Sequence, residues 1–495
     1  MSHIYADYTR ARIGFFFGLT GAQLALVAVT ALPAMWTVGA GEWAATALLA
    51  TGWVLLTVLV VTPIRGRSAT GWLTAVAAHT TGSVTGWSRF RSRAAAGAVT
   101  DPDQVDLPGV LSGIEVHDAP PAGPHQRRVA LIQNHATRTW AVTAAVTHPG
   151  IGLSEPADRD RYGAGLATLL DAASRTALID EVIIVVRTVP DDGAERAHWL
   201  ARHRHPDTPA AVRAITDDLS TFLSGASVRT EAFVTVVVPE SRLAKPAREA
   251  GGGIEGRTLV VHGLLGEVET HLRGGLGMSG VDWLTSPELA AACRTGFAPG
   301  DRAGLVDAAT AGAADVPWSM AGPSGAQGAV RHYRHDAWAS ISLTLTLPVR
   351  GAVIGALAPV LVPAAGERRS VMVSYPVLSA RAADRHTATT AWSADMADGL
   401  RTKAKVRQRT ASREESDKAR GLDAKVAHGH ALTRPHAICT VTVPANAPVA
   451  DHGRRLDAAV RSAGYAPLRL DLSQDAAFAC AAVPLGVSLT RKGTS

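Results

Sequence analysis

Two stretches without a single charged residue, 13–36 and 43–63, constrain this chain more than anything else in it. The first reads IGFFFGLTGAQLALVAVTALPAMW and the second WAATALLATGWVLLTVLVVTP. Runs of this length meet the roughly 20 apolar residues that a bilayer span requires. A helical hairpin would satisfy every backbone group within the hydrocarbon. The link between them, TVGAGE, is flanked by Trp36 and Trp43, where interfacial aromatics belong. A second apolar run and the lack of a clear cleavage site argue against a secretory signal peptide. Two transmembrane helices, about 14–36 and 43–63, are therefore expected. Arg10 and Arg12 precede the pair, Arg65 and Arg67 follow it, with Arg89, Arg91 and Arg93 soon after, and the link carries only Glu42. The excess of cations outside the link places both termini in the cytoplasm, giving a multi-pass protein of the inner (plasma) membrane with the lipid bilayer as a partner. Trp36, Trp43, Arg65, Arg67 and Trp72 are the expected interface residues. Residues 68–93 read either as an amphipathic helix on the inner leaflet or as a packed helix of the folded region.

After a Pro- and Asp-rich linker at 101–109 the pattern changes to short apolar runs. Residues 113–118, 128–134, 139–147, 181–189 and 231–239 are β-branched or alternating and predict strands. Residues 162–179, 208–224, 257–275 and 287–295 have helical periodicity. A Gly-, Ala- and Pro-rich stretch at 296–330 predicts a long loop or boundary. Beyond it, 339–348 and 368–378 predict strands, 380–430 a pair of polar helices, and 437–484 a strand–helix–strand unit of ferredoxin-like type. The fold class expected is a membrane-anchored α+β protein. Its anchor occupies 1–95, its first cytoplasmic α/β domain 110–300, and its second α+β domain 331–486.

No chemistry announces itself. A net charge of +6 over 495 residues is small and carried by arginine, so direct nucleic-acid binding is not expected. Cys293, Cys439 and Cys480 are odd in number and widely spaced, which excludes a disulfide framework and a CxxC metal site. No lysine follows a glycine, so no phosphate-binding P-loop exists, and Gly251, Gly252 and Gly253 read as a plain loop. His332 and His335 have an i, i+3 spacing beside Asp336, a weak metal pattern better read as surface histidines. Asp191–Asp192 and Glu414–Glu415 read as solvated carboxylates. No catalytic, cofactor-binding or metal residue is expected, and no cofactor.

The entry to the first apolar run, Gly18, Leu19 and Thr20 followed by Gln23 and Leu24, resembles the PrgI family of small conjugation membrane subunits. The later Gly71-Trp72-Leu73 and Arg89-Phe90-Arg91 fill further places of that pattern, which covers about the first 95 residues. The order of features from TEAFVTVVVPE through TSPELAAACRTGF, Tyr375-Pro376 and Arg413-Glu414-Glu415 to the closing AAFACAAVPLG resembles the N-terminal, non-motor part of TrbE/CagE-type secretion ATPases. That family closes this part with an apolar strand ending in L-P-G, where this chain has Pro484-Leu485-Gly486. The resemblance implies a non-catalytic inner-membrane subunit of a type IV, conjugation-like secretion or DNA-transfer apparatus. It would dock a separate secretion ATPase and contact other membrane subunits. An EccE-like component of a type VII system is the neighbouring alternative. A membrane-anchored enzyme or ligand sensor without a linear motif is the alternative of another class.

Overall fold

The structure is a computed structural model that describes residues 21–61, 69–86, 88–99, 101–123, 126–150, 154–313, 315–346, 353–385, 387 and 421–489. The chain divides into two units, one made of residues 5–85 with 380–430, the other of residues 86–379 with 431–495 and the first four residues.

The smaller unit contains α1 (Gly21–Ala40), α2 (Trp43–Val61) and α3 (Ala69–Thr85). Gly41, at φ +76°, makes the turn between α1 and α2. The pair is pinned by polar groups: the Trp53 indole donates to the Val27 carbonyl at 2.9 Å, and the Thr46 hydroxyl to that of Thr37 at 3.0 Å. This corrects the expected transmembrane hairpin, because among the described residues no helix is long and apolar enough to cross a membrane. The sequence-based spans were longer than the helices found. Residues 14–20 and 62–63 lie outside the described residues. Within α1, Pro33 removes a backbone donor, and the hydroxyls of Thr30 and Thr37 fold back onto carbonyls of the preceding turn. The membrane-anchored fold class falls with the spans, and so does the multi-pass, inner-membrane placement with cytoplasmic termini. Trp36 and Trp43 are exposed beside the turn, Trp72 is half-buried on α3, Gln23 and Leu24 lie in α1, and Gly18, Leu19, Thr20, Arg65 and Arg67 lie outside the described residues. The helix expected over 68–93 ends at Thr85, where Gly86 turns left-handed at φ +87°. Arg89–Arg91 is instead a strand, β1.

Among the described residues the larger unit is built on one antiparallel sheet of thirteen strands. In chain order the remaining strands are β2 (Ile114–Asp118), β3 (Ala130–Asn134), β4 (Thr139–Thr147), β5 (Glu181–Pro190), β6 (Val228–Pro239), β7 (Gly280–Trp283), β8 (Gly325–Gly328), β9 (Tyr333–His335), β10 (Trp338–Thr346), β11 (Arg368–Pro376), β12 (His436–Pro444) and β13 (Ala466–Arg469). The main path runs β1-β8-β9-β10-β12-β11-β5-β6-β4-β3-β2, with β13 beside β10 and β7 beside β4. The two domains expected at 110–300 and 331–486 are thus joined through the β5–β11 ladder, which pairs Val185 with Met372 and Val182 with Tyr375. The Gly-rich segment at 296–330 is not one long loop. It contains α10 (Arg302–Thr310), α11 (Trp318–Ala321) and β8.

Period-two alternation gives the sheet two different faces. On one, Val182, Val234, Val236, Val142 and Trp140 pack under α4 (Pro156–Thr176), α7 (Glu240–Glu249) and α8 (Gly253–Gly274). Farther along that face, Val371, Val441 and Leu343 pack under α12 (Val449–Ser462). The opposite face carries Ile183, Val185, Phe233 and Met372, then a row of buried hydroxyls. Ser340 bonds Thr442, and Ser342 bonds Thr440, each at 2.8 Å. Over this face lie α9 (Ser286–Phe297) and α13 (Gln474–Ala482). The Gln474 amide completes the row, accepting from Ser342 N at 2.7 Å and donating to Ser342 O at 3.0 Å.

Helix α13 replaces the closing strand that the ATPase resemblance implies. Its sequence, QDAAFACAA, is rich in alanine, the strongest helix former. Small side chains also let the helix lie close on the hydroxyl row. Gly296 of α9 takes part in the same close packing: a Cβ there would stand 2.7 Å from the Ala482 carbonyl oxygen and 3.1 Å from Arg187 Nη1. Both neighbours are fixed by hydrogen bonds, so Gly296→Ala should cost about 1–3 kcal/mol through overpacking. Urea unfolding of the full chain measures this, with Gly304→Ala, where a Cβ meets nothing within 4 Å, as the control.

Candidate functional surface

Most ionisable groups that the fold gathers are committed to holding it together. Arg187 of β5 is 1% exposed. It meets Glu231 Oε2 through Nε at 3.1 Å and Nη2 at 2.7 Å, and its Nη1 donates to the carbonyls of Ala292 and Ala482 at 2.9 Å each. Burial alone would raise the Glu231 pKa, but Arg187, with Arg229 and Arg302, outweighs it and holds the carboxyl below its usual range. Arg302 in turn donates through Nη1 to both oxygens of Asp192 at 2.8 Å and through Nη2 to Glu195 at 2.7 Å. Asp191 pairs with Arg196 at 2.8 Å. The carboxylates read as solvated, Asp191 and Asp192, are therefore structural, while Glu414 and Glu415 lie outside the described residues.

Carbonyls in the second half of α9 collect three donors. Arg187 takes Ala292, Arg368 takes Thr295 at 2.8 Å, and His335 Nδ1 takes Phe297 at 2.7 Å. A carbonyl only accepts, so Nδ1 carries the proton and Nε2 accepts from the Ser340 hydroxyl at 2.8 Å. Arg368 is buried beside Arg187, and burial, then that neighbouring charge, pull its pKa down to about 9. His335 is no surface ligand. Burial, then Arg368, push its pKa down to about 3. Asp336 receives Arg294 at 3.1 Å and the Ser324 amide at 2.6 Å, so His335 and Asp336 face different partners. Among the described residues no group of three or more His, Cys, Asp or Glu could hold a metal.

Two outcomes follow. His335 is neutral when folded and titrates near 6.5 when unfolded, so its contribution is intact above that pH and drains away as pH falls from 6.5 towards 3. Stability should fall by up to about 1.4 kcal/mol per pH unit from this residue across that window. A His335→Gln chain, followed by urea midpoints from pH 7 to 4, should have a flatter slope. Cys293, Cys439 and Cys480 are buried, and burial raises all three thiols, Cys439 to about 12. Folded protein should therefore give no reaction with a thiol reagent at pH 8, and denatured protein should give three equivalents.

The surface is different at α5 (Ala194–His203) and α6 (Ala210–Ala226). The ion pairs just described fix the start of α5, and Arg204 pairs with Asp217 to tie its end to α6. Helix α6 begins after Pro209 and repeats apolar residues at Val212, Ile215, Leu219 and Phe222. Such a stripe ordinarily faces a core. Here the four are exposed by 49, 67, 53 and 71%, and Trp199 of α5 is exposed by 58%. Sequence periodicity placed this helix at 208–224 but did not show which way its apolar side turns. A contiguous apolar row on a held helix is the mark of a contact surface. The helical pair expected at 380–430 to make such a contact lies mostly outside the described residues.

Compared with protein-family models the chain has no match, and compared with curated proteins it has none.

Proposed function

We propose that the chain is a non-catalytic subunit of a conjugation-like, type IV secretion or DNA-transfer apparatus, and that its larger unit docks a separate secretion ATPase. The observation that carries this reading is the exposed row Val212, Ile215, Leu219 and Phe222 on α6. Spacing of i, i+3, i+7, i+10 is how one helix offers anchors to another surface. Phe222 and Trp199 are of the residue class that dominates contact energies. The choice of an ATPase as occupant comes from the sequence order that resembles the non-motor part of such enzymes. In those proteins that part is covalently joined to its motor. Two separate chains would need a standing interface of more than about 1,000 Å². The helix that bears the row is held to its neighbour, since Arg204 pairs with Asp217 and Arg196 donates to the Ser220 carbonyl at 3.2 Å. Other subunits of the apparatus would meet the remaining surface.

The test uses the full chain and a purified secretion ATPase of the conjugation type. Wild type should co-purify with the ATPase, and the double variant Ile215→Asp, Phe222→Asp should lose at least about tenfold in affinity, the weight of a single hot spot. Both residues are exposed, so circular dichroism and the melting midpoint should stay put. The chain alone should hydrolyse no nucleotide. An ATPase that binds the variant as well as wild type, or binds neither, refutes the assignment.

A further inference from the structure

A second feature of the larger unit stands independently of the ATPase reading. Four guanidiniums, of Arg187, Arg229, Arg302 and Arg368, lie in the field of Glu231. Arg187 pairs with that carboxylate at 2.7 Å. Arg302 also meets Asp192 and Glu195, and Arg229 meets Glu195 at 2.6 Å. Asp191 nearby is matched by Arg196. Three carboxylates, Asp192, Glu195 and Glu231, therefore answer four cations. The cation left over is Arg368, which makes no ion pair among the described residues. Its Nη1 donates to the Thr295 carbonyl at 2.8 Å and its Nη2 to the Thr442 hydroxyl at 3.2 Å, and both acceptors are neutral.

Arg368 is 2% exposed, and Ser370, two residues on, is 1% exposed. Arg368 Nε and Ser370 Oγ are both buried with no hydrogen-bond partner among the described residues. Orphaned buried polar atoms are rare in folded proteins, and each asks for an explanation. Strand geometry puts these two side by side. Residues two apart on a strand share a face and stand about 6–7 Å apart. Met372, next in the same row, packs in the core under α9 and α13. Arg187 is the β5 residue directly opposite Ser370, and such cross-strand partners have Cβ atoms about 5 Å apart. A buried hydroxyl thus sits between two buried guanidiniums. The like charges feel each other, since Arg187 adds to burial in lowering the Arg368 pKa.

We propose that this part of the core binds one small monovalent anion, of the chloride type, against Arg368 and Ser370. The Arg368 Nε–H can only donate, and the Ser370 hydroxyl is free to do so, so an acceptor satisfies both. The anion also supplies the one negative charge that the cluster lacks. Leaving a buried charge uncompensated costs several kcal/mol, which is why buried charges are found paired. A water molecule would answer the two hydrogen bonds but not the charge. A divalent anion would overshoot the single charge in excess. The burial of Arg187, Arg368 and Ser370 closes the spot to an organic ligand. Arg368 and Ser370 lie on β11 and Arg187 on β5, so the anion would strengthen the ladder that joins the two halves of the sheet.

The probe is sodium chloride, replacing sodium gluconate stepwise at one fixed ionic strength so that screening stays constant. Urea unfolding of the full chain reads the effect. Chloride should raise the folding equilibrium constant saturably, by about tenfold once it stands at ten times its Kd, and gluconate, too large for a closed core, should not. Bromide should act as chloride does. Arg368→Met removes the excess charge and should abolish the chloride dependence. Should that variant fail to fold, Ser370→Ala keeps the charge and loses one donor. It should weaken chloride binding about tenfold, as for one lost hydrogen bond to a charged group. Equal stability in chloride and gluconate would overturn the proposal. So would a rise that never saturates, a chloride effect that survives Arg368→Met, or unchanged chloride affinity in Ser370→Ala.

Discussion

The guanidinium of Arg187 is the point on which the larger unit turns. It sits in the middle of β5, the strand that joins the halves of the sheet through β6 on one side and β11 on the other. Taking a charge out of water costs several kcal/mol unless partners replace the hydration. Here the replacement is Glu231 of β6, the Ala292 carbonyl in α9, the last carbonyl of α13, and the face of Phe233, 4.8 Å from the guanidinium carbon. Each partner comes from a different element. The need to satisfy one cation therefore ties two helices to the sheet, and the absent Cβ of Gly296 leaves space for it.

Around that point the sheet face is unusual in being polar and dry together. Ser340, Ser342, Thr440 and Thr442 are fully buried, and each hydroxyl has a partner. A buried hydroxyl left unpaired would cost about 1–3 kcal/mol. Cross-strand register supplies the pairs, since Ser340 stands opposite Thr442 and Ser342 opposite Thr440. A helix of alanines suits such a surface because it offers no bulk to hold the layers apart. The same economy explains why the three cysteines lie buried, behaving as small apolar side chains.

How much of this could be read from sequence depended on whether the signal was local. The strands at 181–189, 231–239 and 437–444 were legible because β-branched residues crowd them, and the helices at 162–179 and 257–275 because their apolar residues recur each turn. The hairpin of α1 and α2 was legible as two helices, but its apolar length was overestimated as a pair of spans. The β5–β11 ladder was invisible because nothing local marks which of thirteen edges will meet. The closing helix was missed because an apolar run of nine residues fits either period, and a place after 437–472 suggested the end of a strand–helix–strand unit. At the candidate sites the limit is the same. The α6 stripe was readable and its outward direction was not.

The continuity of the sheet also sets the order in which the chain can assemble. Thr143 of β4 donates to the carbonyl of Pro484 at 2.8 Å, across 341 positions of sequence. Arg187 waits for Ala482, and the hydroxyls of β10 wait for those of β12. Closing such long loops is entropically costly and slow, and the reward arrives only once the distant partner is present. During synthesis, then, β3 to β6 can pair in the order β3-β4-β6-β5 as soon as they emerge, but one of their faces stays bare until α13 has been made. A nascent chain in that state exposes Ile183, Val185 and Phe233 until α13 covers them. The fold thus makes α13, distant in sequence from β3 to β6, a late piece of their core.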